Sequence, residues 1–310
     1  MLQVVLAILP VFLILVIGLT LRKRAIVGEE VWSGLDKLVY WVMFPAMLFH
    51  KTSVAPIGGD IVLDYALVLL PGIFLSGAAI WLFGCFSGME KPSISSIYQG
   101  AIRHNTYIGF AVVAVLLGEE GLLLAALATA VMVPFVNLLC VTTLITLHGP
   151  RDGRSLGVRL LRELSRNPLI LSIAAGIAWN LVGIGEIPVI SPVLGMLTVA
   201  ALPLALLCVG AGLRLRAMKT AGMPIFLSSF CKFALLPGVV MVGLNLTNLT
   251  GVPAMVAITF ASLPTAASAY SLARQLGGDS QLMAGLITMQ TLLSVASLPL
   301  ALTYLPILLS

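Results

Sequence analysis

The sequence predicts an all-α polytopic membrane protein with ten transmembrane helices in a 5+5 inverted repeat, in which helices 4 and 9 are broken and cross each other. Three observations lead to this prediction. Of the 310 residues, 60% are hydrophobic and only 9% are charged. The apolar residues form long runs, and landmark residues recur in the same order in the two halves of the chain.

The composition excludes several classes of protein. Soluble domains are roughly 45–50% apolar and about 25% charged. The few charged side chains here cannot cover the surface of a water-soluble protein of this size. A soluble enzyme, a nucleic-acid-binding protein and a disordered chain are therefore excluded.

Ten apolar runs are long enough to be membrane spans. A helix needs about 20 residues to cross the hydrocarbon core, and these runs are too long for barrel strands and do not alternate. The first run has no basic residues before it, so we expect a retained span and not a cleaved signal peptide. The predicted spans are 2–21, 31–50, 61–86, 94–118, 121–147, 168–185, 189–213, 222–246, 252–276 and 281–309.

Basic residues concentrate on one side of the predicted spans, which indicates the orientation. With both termini outside, the outer loops carry only Lys51, and three basic residues lie within spans. We therefore expect a multi-pass protein of the plasma (inner) membrane with the N-terminus and the C-terminus outside. The other basic residues fall on the inner side: Arg22, Lys23, Arg24, Lys91, Arg151, Arg154, Arg159, Arg162, Arg166, Arg214, Arg216, Lys219 and Arg274.

A polar linker at 148–167 divides the chain into two five-span halves, 1–147 and 168–310. The linker is either an amphipathic cytoplasmic helix on the membrane surface or a charged connection, and the sequence leaves both open. Shifts of 158, 166 and 159 residues align landmarks of the two halves. Because each half has an odd number of spans, the second enters from the opposite side, as in many secondary transporters. The aligned pairs include Pro10 with Pro168, Gly18 with Gly176, Pro45 with Pro203, Pro71 with Pro237, and Thr106 with Thr265.

The fourth and ninth spans are interrupted at equivalent positions of the repeat, where Asn105 aligns with Pro264. Proline has no N–H and clashes with the preceding turn, so we expect a break or kink. Asn105, Thr106 and Thr265 are suited to cap helices that restart after a break. The free N–H groups and positive dipole ends of two such half-helices would converge on an anion. An ordinary kink with an interhelical hydrogen bond is the alternative.

Two basic residues lie deep within predicted spans, where a charge costs at least about 2.5–3.5 kcal/mol and tends to be functional. Arg103 directly precedes the fourth-span break and can complement an anionic substrate. Lys232, in the eighth span, is a candidate for gating or for carrying a transported proton. It could also pair with an acid, and Asp64 in the third span is the candidate. Asp36 and Lys37 lie near the inner interface, where snorkelling accounts for them. We expect structural roles for the three histidines.

Several segments resemble the auxin efflux carrier (AEC) family, which includes bacterial malate and malonate permeases and the plant PIN-type carriers. The resemblance covers nearly the whole chain, in order. The matching segments are LDKLVYWVMFPAMLF in the second span, QGAIRHNTYIGFAVVAVLLGEEGL in the fourth, SRNPLILSIAAG in the sixth, ALPLALLCVGAGL in the seventh, and LPTAASAYSLARQLGGD and TLLSVASLPL in the last two.

The resemblance implies a scaffold of spans one, two, six and seven, and a transport domain of the other spans that moves like an elevator. Asn105 and Thr106 match the Asn-Thr of the first crossing, and Leu263 and Pro264 match the start of the second. His104 stands where plant PIN-type members have a proline, and a second proline of the ninth span is absent. These departures argue against auxin as the substrate.

Together these features predict a secondary active transporter of small organic anions, in particular carboxylates. Arg103 and the two half-helix ends would bind the carboxylate, and Asn105 and Thr265 would orient it. The expected partners are this anion and the lipid bilayer, with no nucleic acid. We expect no cofactor and no metal. Coupling to protons or to the membrane potential stays open, and so does a homodimer.

Two alternatives to this function stay open. One is a sodium-coupled symporter resembling the bile-acid carriers, against which the lack of an acid at the crossing argues. The other is a non-transporting ligand sensor, against which the lack of an appended soluble domain argues. The sequence has no G-x-x-x-x-G-K-[ST] and no G-x-S-x-G motif, so we expect neither ATP-driven transport by this chain alone nor enzymatic activity.

Overall fold

The computed structural model describes residues 1–54, 60–149, 156–220 and 222–309, and every regular element within these ranges is helical. Residues 150–155 of the predicted linker, with Arg151 and Arg154, lie outside the described residues. The first half contains α1 (Leu2–Lys23), α2 (Glu29–Leu38), α3 (Phe44–Ser53), α4 (Asp60–Phe86), α5 (Lys91–Ile102) and α6 (Thr106–His148). The second half contains α7 (Leu156–Ser165), α8 (Pro168–Val182), α9 (Ile190–Gly212), α10 (Gly222–Phe230), α11 (Leu236–Thr247), α12 (Gly251–Ala261), α13 (Ser268–Leu276) and α14 (Ser280–Tyr304).

Helices occupy all ten predicted runs, but they differ in length and continuity. α8 has 15 residues and α12 has 11, which is less than the about 20 that a full crossing needs. The fold is therefore an all-helical membrane protein with several apolar spans. Six helical stretches within the described ranges are long and apolar enough to cross a membrane: Leu2–Lys23, Asp60–Phe86, Lys91–His148, Ile190–Gly212, Gly222–Thr247 and Ser280–Leu308.

The second and eighth predicted spans each contain a π turn, which the sequence analysis did not predict. Val39–Met43 joins α2 to α3, and Cys231–Leu235 joins α10 to α11. Pro45 or Pro237 stands in the first turn of the helix that follows. A proline ring clashes with the carbonyl one turn earlier, and a wider turn relieves that clash.

Two connections depart from a simple helix-loop-helix pattern. The predicted fourth and fifth spans share the helix α6, which changes direction at Gly118 (φ 60°, ψ −145°). A residue with a Cβ atom rarely adopts this positive φ. Glycine tolerates it, which explains the glycine at the predicted boundary between the two spans. In the described part of the 148–167 linker, α7 is a helix, which favours the first of the two alternatives for that segment.

Glycines bring α1 and α9 into close contact. A Cβ atom at Gly18 would stand 2.2 Å from the Leu207 carbonyl oxygen, and one at Gly210 would stand 2.0 Å from the Leu15 carbonyl oxygen. Such backbone approach is typical of helix packing in membranes, where small residues let dispersion contacts form.

A second glycine contact joins α3 and α8. A Cβ atom at Gly176 would stand 2.9 Å from the Phe49 carbonyl oxygen. A shift of 158 residues relates Gly18 to Gly176 and Phe49 to Leu207, so the two contacts involve equivalent positions of the sequence repeat. An inverted repeat would produce this relation.

We expect Gly18→Ala to destabilise the protein, because the added methyl group meets backbone that cannot rotate away. Overpacking of this kind costs about 1–3 kcal/mol. Thermal unfolding in detergent, followed by tryptophan fluorescence, should show a lower apparent melting temperature. Gly238→Ala is the matched control, because a Cβ atom at this helical glycine would have no neighbour within 4 Å. Equal melting temperatures for the two variants would contradict the close α1–α9 contact.

Candidate functional site

The two interrupted helical regions are in direct contact. α5 ends at Ile102 and α6 begins at Thr106, while α12 ends at Ala261 and α13 begins at Ser268. Between them, the backbone N–H of Asn105 donates a hydrogen bond of 2.8 Å to the carbonyl oxygen of Pro264. The sequence repeat aligns the same two residues.

Asn105 also caps the helix that restarts after the first break. Its backbone is extended (φ −83°, ψ 93°), and its Oδ1 accepts a hydrogen bond of 3.2 Å from the Ile108 N–H. The first N–H groups of a helix have no acceptor within the helix, and a capping side chain satisfies one of them. The N–H groups of Thr106 and Tyr107 then belong to a helix end that carries partial positive charge.

Two adjoining cavities lie at this break, with volumes of about 280 and 550 Å³. The smaller one reaches Asn105 and Tyr107, and the larger one reaches Arg103 and His104. Their common walls come from the second predicted span, the sixth, and the two breaks. The two cavities share Asp36, Tyr40, Thr106, Leu169, Ala266, Ser268 and Ser271.

Arg103 places a guanidinium group on the wall of the larger cavity. Its Nη2 donates to Asn137 Oδ1 at 3.2 Å and to Ser268 Oγ at 3.4 Å. Its Nη1 is buried and has no hydrogen-bond partner among the described residues, although the Cys140 thiol is nearby. These contacts fix the guanidinium beside the N-terminus of α13 and leave donor capacity for a bound anion.

The structure separates the predicted binding residues into two groups. Arg103, Asn105 and Thr106 line the cavities, whereas Pro264 and Thr265 line neither of them. Thr265 is fully buried, its N–H donates to Gln290 Oε1 at 3.0 Å, and its hydroxyl lies 3.5 Å from the Gln99 carbonyl. Thr265 is thus hydrogen-bonded within the protein, and the Pro264 carbonyl accepts from the Asn105 N–H.

The predicted pairing of Lys232 with Asp64 does not occur. α4 runs antiparallel to α10 and α11, so that Ser76 donates to the Cys231 carbonyl at 3.4 Å. Asp64 precedes Ser76 by twelve residues, which is about 18 Å along a helix. Lys232 is fully buried, and its Nζ has no hydrogen-bond partner in the described ranges.

Several cavity residues were missed by the sequence analysis. Asp36 and Lys37 line the larger cavity, although snorkelling at the inner interface was expected to account for them. The available signal was their charge within a predicted span. Ser268 and Ser271 contribute the hydroxyl groups of the second break, but serines are too common in membrane helices to be picked out by type. Among the described residues, no group of three or more His, Cys, Asp and Glu side chains could hold a metal ion.

Gln290 on α14 connects both breaks to their neighbours. It accepts from the Thr265 N–H at 3.0 Å, and its Nε2 donates to the Gly100 carbonyl at 3.2 Å and to Ser228 Oγ at 3.3 Å. Ser228 in turn donates to the Ile97 carbonyl at 3.1 Å. One fully buried amide therefore holds α5, α10, α14 and the second break together.

Comparisons with known proteins agree with a transport role. A family model described as "Membrane transport protein" matches residues 3–302. An "Uncharacterized transporter" of Methanothermobacter thermautotrophicus is 27% identical over 297 residues, which cover 94% of this chain and 95% of that protein. A "Putative malonate transporter" of Rhizobium meliloti is 24% identical over 298 residues, which cover 94% of this chain and 92% of that protein.

We expect Gln290→Met to destabilise the protein and to lower its transport activity, because it leaves the Thr265 N–H and the Gly100 carbonyl unpaired. Each buried group left without a partner costs about 1–3 kcal/mol. Thermal unfolding and uptake into proteoliposomes measure the two effects. The control is Gln281→Met, which removes an exposed amide from the same helix. If Gln290→Met melted and transported like this control, the breaks would not depend on Gln290.

Proposed function

This chain belongs to the membrane transport protein family, as its resemblance to the auxin efflux carriers predicted, and from that premise we propose that it is a secondary transporter of small carboxylates. The observation that carries the proposal is the cavity at the Asn105–Pro264 contact, which combines the Arg103 guanidinium with the ends of two half-helices.

The charges at the larger cavity favour an anion, because two basic residues, Arg103 and Lys37, outnumber one acid, Asp36. α6 begins at Thr106 and α13 begins at Ser268, and both residues line the cavities. Helix N-termini attract negative charge because their N–H groups are free and their dipole ends are positive. Arg103 adds a full positive charge, and its planar guanidinium matches the geometry of a carboxylate.

The cavities can hold a small organic anion. Pockets for drug-sized ligands are about 300–1,000 Å³, and the cavity that Arg103 lines has a volume of about 550 Å³. The Rhizobium meliloti relative is described as a malonate transporter, so malonate is the first compound to test. Mono- and dicarboxylates of similar size complete the panel.

The walls of the cavities support an elevator-type alternating-access mechanism. Asp36 and Tyr40 belong to the second predicted span and Leu169 to the sixth, which are scaffold spans in the proposed architecture. Arg103 and Ser268 belong to the fourth and ninth, which are transport spans. The substrate would therefore bind between the two units and travel with the transport domain.

We extend the proposal to ten spans in an inverted repeat, with both termini outside the plasma (inner) membrane. The equivalent contacts of Gly18 with Leu207 and of Gly176 with Phe49 support the repeat. Asp36 and Lys37, at the cavity wall, lie near the predicted cytoplasmic end of their span. With this orientation, the cavities would open toward the cytoplasm in this conformation.

A sodium-coupled symporter is a second candidate, because Asp36 lines both cavities. In the sequence, the lack of an acid at the crossing argued against sodium. In the fold, the second predicted span places the acid Asp36 beside the crossing. Sodium prefers oxygen ligands, which the Asp36 carboxylate and the Ser268 hydroxyl could provide. Uptake that requires sodium, and loses that requirement in Asp36→Asn, would favour this candidate over a sodium-independent carrier.

We expect Arg103→Ala to lower carboxylate uptake into proteoliposomes by about 10- to 150-fold at low substrate concentration. A hydrogen bond to a charged group contributes about 1.5–3 kcal/mol, which corresponds to this range. The matched control is Arg274→Ala, which removes an exposed arginine from α13. If no carboxylate in the panel is transported by the wild-type protein, or if Arg103→Ala transports normally, the proposed anion site is wrong.

We expect Asn105→Asp to separate stability from transport. The carboxylate can still accept from the Ile108 N–H, so the helix cap and the melting temperature should be retained. A negative charge at this position repels a carboxylate in the cavity, and two unit charges about 4 Å apart interact by about 4 kcal/mol at an effective dielectric constant of about 20, so uptake should fall by about 100-fold or more. The control is Asp279→Asn, which replaces the capping carboxylate of α14 by an amide and so makes the reverse exchange at another helix cap. Normal uptake by Asn105→Asp would place the substrate elsewhere.

A further inference from the structure

Lys232 is a fully buried basic residue that the proposed binding of a carboxylate does not use. It lies in the π turn at Cys231–Leu235, and its Nζ has no hydrogen-bond partner among the described residues. An ammonium group inside a membrane protein is costly unless an anion or a polar network compensates it. A group of this kind is suited to a charge that is present during one part of a transport cycle and absent during another.

Among the described residues, the helices that pack closely against the π turn bring no carboxylate to Lys232. They are α4, α5, α10 and α11. The two acids of α4, Asp60 and Asp64, are at least twelve residues from Ser76, the residue of α4 that contacts the turn. From α5, the Tyr98 hydroxyl faces Gly77 of α4. α10 and α11 carry no ionisable side chain.

The titratable groups that interact with Lys232 are the Cys140 thiol and the His104 ring. Cys140 belongs to α6 and is fully buried. His104 belongs to the first break, and Arg103 interacts electrostatically with it from the cavity side. The environment of Lys232 is therefore positively charged or neutral in this conformation.

His104 both lines the larger cavity and interacts electrostatically with Lys232. It is only 4% exposed, and neither ring nitrogen has a hydrogen-bond partner in the described part of the chain. Lys232 lines neither of the two cavities at the break. An imidazole can accept a proton on one nitrogen and donate from the other, so it can pass a proton between the cavity and a buried amine.

We propose that Lys232 is the proton-binding site of this transporter. It takes up a proton through His104 when a carboxylate enters the cavity. The protein therefore carries the anion together with a proton. The inference rests on the proposed function, because the carboxylate supplies the compensating negative charge. It also gives His104 a role in transport, in place of the structural role that the sequence predicted.

The coupling follows from electrostatics. A carboxylate beside Arg103 attracts positive charge, so it stabilises the ammonium form of Lys232 over the neutral amine. By linkage, protonation of Lys232 then strengthens carboxylate binding by the same factor. The proton comes from water in the cavity, forms the fourth bond of the Nζ nitrogen, and returns to water when the anion leaves on the other side. The buried site then returns to its neutral state.

The primary experiment is calorimetric titration of the purified wild-type protein with malonate, or with the carboxylate that the uptake panel identifies. The titration is repeated in buffers that differ in ionisation enthalpy, at a pH at which the probe is fully ionised. The dependence of the measured heat on the buffer gives the number of protons bound. We expect uptake of about one proton per carboxylate.

Two substitutions of Lys232 test the residue itself. Lys232→Met, which removes the charge and keeps most of the volume, should bind the carboxylate without proton uptake and lose accumulation driven by a pH gradient. Lys232→Arg, which stays charged throughout the cycle, should likewise bind without proton uptake. Lys91→Met removes an exposed lysine at the start of α5 and should retain the wild-type proton count.

His104→Phe tests the route of the proton. The ring still packs against Phe260 but has no titratable nitrogen. We expect the equilibrium proton count to stay near that of the wild type, while uptake driven by a pH gradient becomes slower.

The outcomes separate this inference from the proposed function. Carboxylate binding by the wild-type protein without proton uptake overturns the proton site and leaves the anion site intact. Unchanged proton uptake in both Lys232 variants also overturns it. Unchanged pH-driven uptake in His104→Phe overturns the route through His104. A wild-type protein that binds no carboxylate overturns the proposed function itself.

Discussion

A backbone N–H or C=O group at membrane depth must find its partner within the protein, and this constraint shapes the centre of the fold. At each of the two breaks the helical hydrogen-bond pattern stops, which leaves polar groups without partners. The Asn105 N–H and the Pro264 carbonyl satisfy each other across the breaks. Interruption of one helix is therefore tolerated because the other is interrupted beside it.

The same contact creates the site. A helix that restarts after a break presents free N–H groups. The Asn105 side chain accepts a hydrogen bond from one of them, the Ile108 N–H, and Thr106 lines the cavity. At the second break, Gln290 accepts a hydrogen bond from the Thr265 N–H on the side away from the cavities. The cavity side of that break is formed by Ser268 and its neighbours. Stability and the proposed anion binding would thus depend on opposite faces of the contact between the two breaks.

Sequence reasoning is most informative where a residue type has a strong backbone consequence. Pro264 lacks an N–H and Asn105 has a capping side chain, and α5 and α12 end before these residues. The reasoning failed where the direction of a side chain decides the outcome. The Thr265 hydroxyl points to the Gln99 carbonyl and lines neither cavity, Asp64 is several turns from Lys232, and Asp36 reaches the cavity from another span.

The sequence by itself determined an all-helical membrane protein with several apolar spans, because hydrophobicity and backbone chemistry are local properties of a chain. The family also follows from the order of its segments. Only the tertiary structure decided which polar groups meet, because neighbouring helices are brought together by packing between residues far apart in the chain. It placed Arg103, Asp36 and Ser268 around shared space and left the Lys232 Nζ without a hydrogen-bond partner among the described residues.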